Sequence, residues 1–327
     1  MKIKILTESE LRQCVSIIPE VIDAIEAGFS SLSQEHVTMP PIMRIDFPEV
    51  NGEVDVKSAA VDGLDGFAIK VSSGFFDNHK LGLPSLSGMM TLFSAQTGAP
   101  QAVLLDNGYL TDIRTGAAGA VAARHLSREN VETVGVIGAG AQARYQMMAL
   151  KQVRDFKRVL VYSLDGMDAY VQEMPGFLGV VVLAMDSVEA VVRESEIVVT
   201  STPSKQPYLK AEWLHPGLHI TSMGADAEGK QELYVECLGR ADLLVCDRRS
   251  QSFRLGEFQH GLDGGILKSQ NDAVELGEVT SGQKPGRTSD EQITICDLTG
   301  TGMQDTVIAK LAYQKALSQG MGLEIES

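Results

Sequence analysis

Lys70, Arg114, Arg44 and Asp226 carry charge in settings that ordinarily exclude it. Lys70 lies in "GFAIKVSSG", flanked by Phe67, Ile69 and Val71. Burying an ammonium is costly unless it is paired, and burial lowers a lysine pKa. A lysine placed in this way can take up and release a proton near neutrality. Arg114 follows "YLTDI" among Ala and Gly, where a helix is expected to begin with Thr111 or Asp112 as its cap. In that first turn the helix dipole disfavours a cation, and a bound anion would offset the cost. Arg44, in "PPIMRIDFP", is a third cation of this kind. Asp226 sits in "TSMGADAEGKQEL", which leaves an apolar run. It reads either as a turn residue or as a group that moves a proton. For the basic residues the competing reading is a structural ion pair or a side chain that snorkels to water.

A second kind of chemistry is written in glycine. "VGVIGAGAQA" supplies Gly138, Gly140 and Ala143 as G-x-G-x-x-A, after an apolar strand and at the opening of a helix. Gly138 permits the tight turn, Gly140 lets backbone approach a pyrophosphate, and Ala143 lets helix and strand pack closely. The helix N-terminus then faces the phosphates. Ala141, Gln142 and Thr202 join these as candidate cofactor contacts. At the end of the next strand, in "RVLVYSLDGMD", Ser163 stands where an acidic residue commonly holds the ribose. No Arg or Lys follows to bind a 2′-phosphate, and Asp165 and Asp168 would repel one. The expectation is NAD(H) in preference to NADP(H), with NADP(H) the alternative.

These residues need elements to position them. Residues 8–33 read as helix interrupted by Pro19, with Thr7 or Ser9 able to cap it. Residues 39–106 break into short strand-like runs between Gly, Pro and Asn, the pattern of local hairpins. After an Ala-rich helix the pattern changes. "TVGVIGAG", "RVLVYS", "GVVVLA", "EIVVTSTP", "HITSMGA", "DLLVCD" and "ITICDL" are apolar runs, mostly separated by helical segments, which indicates a parallel, doubly wound sheet. A last helix, from about 303 to 319, lies beyond the final strand. The fold expected is α/β: a Rossmann sheet plus an α+β domain.

The totals narrow the function classes. The chain has 327 residues, enough for two domains. Its 28 Lys+Arg against 43 Asp+Glu give a net charge of −15, which disfavours nucleic acid and anionic membrane as partners. Cys14, Cys237, Cys246 and Cys296 are scattered, with no metal-ligand spacing, and read as free thiols in a reducing compartment. His260 near Glu257 could pair with it, although a surface role is the favoured reading, and no His/Asp/Glu group has metal-ligand spacing. No apolar run approaches the ~18 residues of a membrane span, and the N-terminus lacks the apolar core of a signal peptide. The expected location is the cytoplasm.

Together, "FAIKVSSGFFDNHKLGLPS", "LLDNGYLTDIRTGAAGAVAARHL", "VGVIGAGAQA", "SMGADAEGKQEL", "RLGEFQH" and "DLTGTGMQD" resemble the ornithine cyclodeaminase/mu-crystallin superfamily through nearly the whole chain. Within it, "MPPI", "GEVDVK", "GFFDN" and "DNGYLTD" resemble the cyclodeaminase-like protein of ectoine-utilisation operons. The resemblance implies a homodimer. It implies a substrate-binding and dimerisation domain over residues 1–115, to which 303–327 returns, and an NAD(P)-binding Rossmann domain over 116–302. It implies that Arg44 and Arg114 clamp a substrate carboxylate, that Lys70 sits beside the reacting carbon, and that Asp226 is the acid/base. Ser85 and Thr115 would lie near cofactor and substrate. The chemistry implied is hydride transfer at the α-carbon of a small amino or imino acid. Lys57 falls where ornithine cyclodeaminases carry an acidic residue for the distal ammonium, and a lysine there would repel that group. An acidic residue at this place, as Glu53 or Asp55 would be, reverses the preference. Imine reduction therefore ranks above ornithine cyclisation to proline and ammonia. A non-catalytic nucleotide-binding protein is the other alternative.

Overall fold

Glycine, proline and asparagine punctuate residues 39–106, and the runs between them pair with their neighbours in the chain. The computed structural model describes residues 2–34 and 36–326. One unit comprises Met1–Ser16, Ser31–Arg114 and Thr301–Ser327; the other comprises Ile17–Ser30 and Thr115–Gly300.

The first unit is built on β1 (Lys2–Thr7), β2 (Val37–Thr38), β3 (Met43–Phe47), β4 (Gly52–Val61), β5 (Gly66–Phe75), β6 (Leu86–Ser94), β7 (Pro100–Leu105) and β16 (Leu323–Glu326). Their order is β16-β1-β7-β6-β5-β4-β2, with β3 also paired to β4. Strands β3 to β7 are antiparallel in hairpin succession, and β1 joins β7 in parallel. The sequence reading assigns no strand to "KIKILT". Its Lys/Ile alternation is nevertheless the period-two pattern of a strand, and β7 and β16 pair with it on either side.

Register decides what each face of this sheet carries. Lys57, Lys70, Met90 and Leu104 are successive cross-strand partners and so share one face. Ala59, Ala68, Leu92 and Ala102 lie on the same face, and all of it is buried. Helix α11 (Gly302–Ser318) packs there: the Thr306 hydroxyl donates to Ala59 O at 2.6 Å and accepts from Ala68 N at 3.0 Å. Gly302 allows this approach, because a Cβ on it would lie 2.4 Å from the Ser58 carbonyl oxygen. The opposite face carries Met43, Val56, Val71 and Met89 in one row.

Pro19 separates α1 (Glu8–Cys14) from α2 (Pro19–Ser33), and Thr7 caps α1 in a reciprocal box with Glu10. The expectation of one domain through residue 115 differs from the structure at Ile17–Ser30, which group with the second unit. The reason is a set of polar ties. Glu26 engages Arg124 and meets His125 Nε2 at 2.7 Å, and the Ser30 hydroxyl donates to Thr280 at 2.8 Å.

The second unit holds β8 (Thr133–Ile137), β9 (Arg158–Tyr162), β10 (Val181–Ala184), β11 (Ile197–Thr200), β12 (His219–Ser222), β13 (Leu243–Cys246), β14 (Val274–Glu275) and β15 (Thr294–Asp297). All are parallel, in the order β10-β9-β8-β11-β12-β15-β13-β14. Helices α3 (Tyr109–Leu126), α4 (Ala141–Lys151), α5 (Met167–Leu178), α6 (Val188–Glu194), α7 (Glu236–Arg240), α8 (Arg249–Leu255), α9 (Glu257–Asp263) and α10 (Leu276–Thr280) accompany them, with α3 entering from the first unit. This is the doubly wound Rossmann sheet expected from the apolar runs. Its strand order reverses at β8 and β11, and ligands bind such sheets at the carboxyl ends beside that point. His219 is buried within the sheet, bonded to Thr294 at 2.8 Å and Thr221 at 3.0 Å. Among the described residues no helix is long and apolar enough to cross a membrane.

Because α11 rests on β4 through Gly302, Gly302→Ala should lower the unfolding free energy by about 1–3 kcal/mol, the usual cost of overpacking. Urea denaturation measures this, and an unchanged midpoint would mean that helix and strand can separate freely.

Candidate active-site groups

In the first unit Asp305, a carboxylate that the sequence does not single out, gathers Lys70 and Arg114. Asp106 accepts from Leu110 N at 2.9 Å and starts α3 at Tyr109. Thr111 and Asp112 are therefore inside the helix rather than capping it. Arg114 stands in the second turn, not the first, and is 5 % exposed. Its Nε lies 3.0 Å from Asp305 Oδ1, in ion contact without hydrogen-bond alignment, and its Nη1 donates to Gln304 Oε1 at 3.3 Å. Lys70 donates to Asp305 Oδ1 at 3.0 Å and lies 3.0 Å from Oδ2. Asp305 is in the first turn of α11, where the dipole favours an anion. Gln304 closes that turn by accepting from Thr301 N at 2.8 Å while it also receives Arg114.

The electrostatics follow from burial. Lys70 is fully buried, and burial with the charges of Arg114 and Lys57 pushes its pKa down to about 7, against the pull of Asp305. Burial would raise the Asp305 carboxyl, but Lys70, Arg114 and Lys57 outweigh it and hold it below its ordinary value. Lys57 is itself buried, opposite Lys70 on β4.

Arg44 is on the same sheet face, since its partner Asp55 is two residues from Lys57. Its guanidinium is taken by its own hairpin: Asp46 at 2.9 Å, Glu53, and Asp55 at 3.8 Å. Ser85 is half-buried, and its carbonyl accepts from Phe75 N at 2.8 Å.

In the second unit, the glycine turn has the geometry its residues suggest. Gly138 has φ +107°, a conformation that favours glycine, and its N donates to Tyr162 O at 2.9 Å. A Cβ on it would be 2.9 Å from Ser201 O. Gly140 caps α4, and a Cβ there would meet nothing within 4 Å, so its backbone faces open space. Ala143 is buried under the helix, Ala141 is exposed and Gln142 half-buried. Ser163, half-buried, follows β9, and Leu164 beside it is 94 % exposed. The Thr115 carbonyl accepts from Gln146 Nε2 at 2.9 Å. An open glycine backbone at a helix N-terminus fits a pyrophosphate.

Asp226 lies in the loop that follows β12. Its side chain is 48 % exposed, with Lys230 Nζ 2.7 Å from Oδ1. Lys230 O accepts from His260 Nε2 at 2.8 Å, so His260 braces this loop rather than pairing with Glu257. Thr202 donates to Glu232 Oε1 through both N and Oγ1, each at 2.7 Å. Glu232, Glu257 and Asp297 are buried under the loops, a set the sequence reading does not find. Burial pushes Asp297 up to about 8, and burial with Asp297 and Glu232 nearby holds Glu257 well above the carboxylate range. Glu232 follows Glu228 and Lys230 in a polar run that reads as a solvated loop, with no signal of burial.

Asp305→Asn should leave Lys70 and Arg114 buried without their anion. The expected loss of stability is roughly 3–5 kcal/mol. Asp305 raises the Lys70 pKa, so its removal should move the lysine titration below 7. NMR titration of ¹³C-labelled lysine measures this, and an unmoved or raised pKa would contradict the assignment.

Comparison with known proteins bears on the family and the fold. Residues 1–320 match the model of the ornithine cyclodeaminase/mu-crystallin family. The Thermococcus litoralis Δ¹-pyrroline-2-carboxylate reductase, solved with NADH and L-proline, superposes with a TM-score of 0.94 at 30 % identity, over 99 % of this chain and 100 % of that one. An archaeal alanine dehydrogenase dimer with bound NAD gives 0.92 at 35 %, over 100 % and 99 %. The iminosuccinate reductase of Paracoccus denitrificans, with NAD⁺, gives 0.91 at 29 %, over 100 % of both chains. The chain belongs to the ornithine cyclodeaminase/mu-crystallin family.

Proposed function

We propose that this protein is an NAD(H)-dependent imine reductase acting on a small imino acid. The observation that carries the reading is the buried Lys70–Asp305–Arg114 group, in which a lysine titrating at about 7 sits with an arginine on one carboxylate. A protein that only binds nucleotide has no need of that arrangement. When bound, the dinucleotide supplies a hydride to the imine carbon. The C=N pair then moves onto nitrogen, which takes a proton from Asp226 or Lys70. Arg114 receives the substrate carboxylate, and Arg44 is its partner on the same sheet face. Gly138, Gly140, Ala141, Gln142 and Ala143 hold the pyrophosphate. Ser163 and Thr202 are assigned to the cofactor, and Ser85 and Thr115 to its neighbourhood with the substrate. NAD(H) is preferred because Asp165 and Asp168 follow Ser163 and the three solved relatives carry it.

Lys57 bears on the substrate. Buried in register with Lys70, it disfavours a distal ammonium and favours a neutral or acidic side chain. That ranks reduction of a pyrroline-carboxylate-like or iminosuccinate-like compound above ornithine cyclisation. The narrower sequence resemblance supports a substrate formed in ectoine or hydroxyectoine breakdown. The free thiols of all four cysteines suit the cytoplasm.

We also infer a homodimer through the open face of the first unit. Met43, Ile45 and Phe47 of β3 are 54 %, 46 % and 40 % exposed, and exposed Val71 shares their face. A row of large apolar side chains facing water marks an association surface, and the archaeal alanine dehydrogenase is a dimer.

Purified protein with NADH should reduce Δ¹-pyrroline-2-carboxylate or oxaloacetate plus ammonium. Release of ammonia from L-ornithine with NAD⁺, and no imine reduction, would overturn the ranking. Asp226→Asn should lower turnover by ~10²–10⁴-fold, the usual worth of a placed acid/base, while NADH affinity is kept; near-normal turnover would remove Asp226 from the chemistry. Ile45→Glu should give monomers by light scattering, and an intact dimer would place the interface elsewhere.

A further inference from the structure

Two loops at the carboxyl edge of the Rossmann sheet end on one side chain. Glu232 is 0 % exposed. Its Oε1 accepts from Thr202 N, Thr202 Oγ1 and Tyr208 OH, each at 2.7 Å. Its Oε2 accepts from Thr200 Oγ1 at 2.6 Å, Gly224 N at 2.9 Å and Ser222 Oγ at 3.4 Å. These are neutral donors, and both oxygens are used, which is how a buried carboxylate is satisfied by dipoles alone.

Thr200 and Ser222 end β11 and β12, and Thr202, Tyr208 and Gly224 lie in the two loops that follow those strands. Thr202 follows β11, next to Ser201, whose carbonyl packs against Gly138. Gly224 follows β12 and stands two residues before Asp226. The loops touch: a Cβ on Gly224 would lie 2.1 Å from Thr202 O. Glu232 is held in turn, because Glu257 Oε1, at the start of α9, accepts from its N at 2.7 Å.

We propose that Glu232 is a positioning residue that locks the loop beside the cofactor turn to the loop carrying Asp226, so that the proton donor keeps a fixed place relative to the Gly138 cradle. This rests on the roles given above to Asp226 and the glycine turn. The only other work Glu232 could do is to satisfy core donors, and one substitution separates the two. In Glu232→Gln the shape is kept but one oxygen becomes an NH₂ group. Whichever way the amide turns, that group meets the N–H of Thr202 or of Gly224, so one loop is released.

The test compares Glu232→Gln, Glu232→Asp and Asp226→Asn with the parent by hydrogen–deuterium exchange, NADH fluorescence titration and thermal melting. Turnover over a pH series is measured with Δ¹-pyrroline-2-carboxylate and with oxaloacetate plus ammonium. Glu232→Gln should speed exchange in residues 201–204 and 223–226 while the melting temperature stays close to the parent's. Its kcat should fall about 10- to 100-fold with a smaller change in KM, and the limb of the pH profile that Asp226→Asn abolishes should move. Glu232→Asp should recover part of the rate. Unchanged exchange in 223–226, or a rate that falls only in step with melting temperature, would overturn the proposal. If Asp226→Asn is slow and Glu232→Gln is not, the coupling fails and the assignment of Asp226 stands. If Asp226→Asn is unaffected, it is the assignment of Asp226 that fails, and the proposed coupling falls with it.

Discussion

A single buried carboxylate sets the character of the first unit. Asp305 lies between Lys70 and Arg114, with Lys57 acting on both it and Lys70. Without that anion, a lysine and an arginine could not both be buried under α11 at tolerable cost. With it, the lysine is held at about 7, where burial, Arg114 and Lys57 alone would drive it further toward the neutral amine. The sheet is built around this need. Its buried face carries small residues at Ala59 and Ala68, which let α11 come close enough for Asp305 to reach Lys70.

The second unit uses carboxylates differently. Among the described residues Glu232 takes its hydrogen bonds from peptide N–H groups and hydroxyls rather than from a cation. Glu257 and Asp297 beneath it are pushed toward the neutral form by burial. A stack of carboxyls under the edge of a parallel sheet is stable because the loops after the strands offer many unpaired donors. The same edge is where a doubly wound sheet receives its ligand. The loops after β11 and β12 are thus tied to buried carboxylates, while Asp226 is half exposed and pairs with Lys230.

Much of this was legible in residues. Short runs between Gly, Pro and Asn, apolar runs alternating with helices and the G-x-G-x-x-A turn reveal the antiparallel sheet and the Rossmann strands, because these patterns are local. Lys70 and Arg114 stand out because charge in apolar surroundings is itself a signal. Asp305 and Glu232 escape for the opposite reason. Each sits in a polar or glycine-rich stretch where a carboxylate is unremarked, and only the fold shows it to be buried. The start of α3 differs from the expected one because Asp106, four residues before Leu110, takes that first-turn N–H, while Thr111 and Asp112 are the more conspicuous capping types in the sequence. "KIKILT" carries the alternation of a strand over only six residues, and its partners, β7 and β16, lie far along the chain.

What these groups are for is most directly tested by following the hydride. NADH deuterated at the transferring C4 position can be incubated with the protein and a panel of cyclic and linear imino acids, and the amino-acid product examined by mass spectrometry and NMR. Transfer to an imine carbon predicts deuterium on the α-carbon of the product, at full incorporation and in one stereochemical sense. Product formed without label at that carbon, or label retained on the dinucleotide throughout, would contradict it.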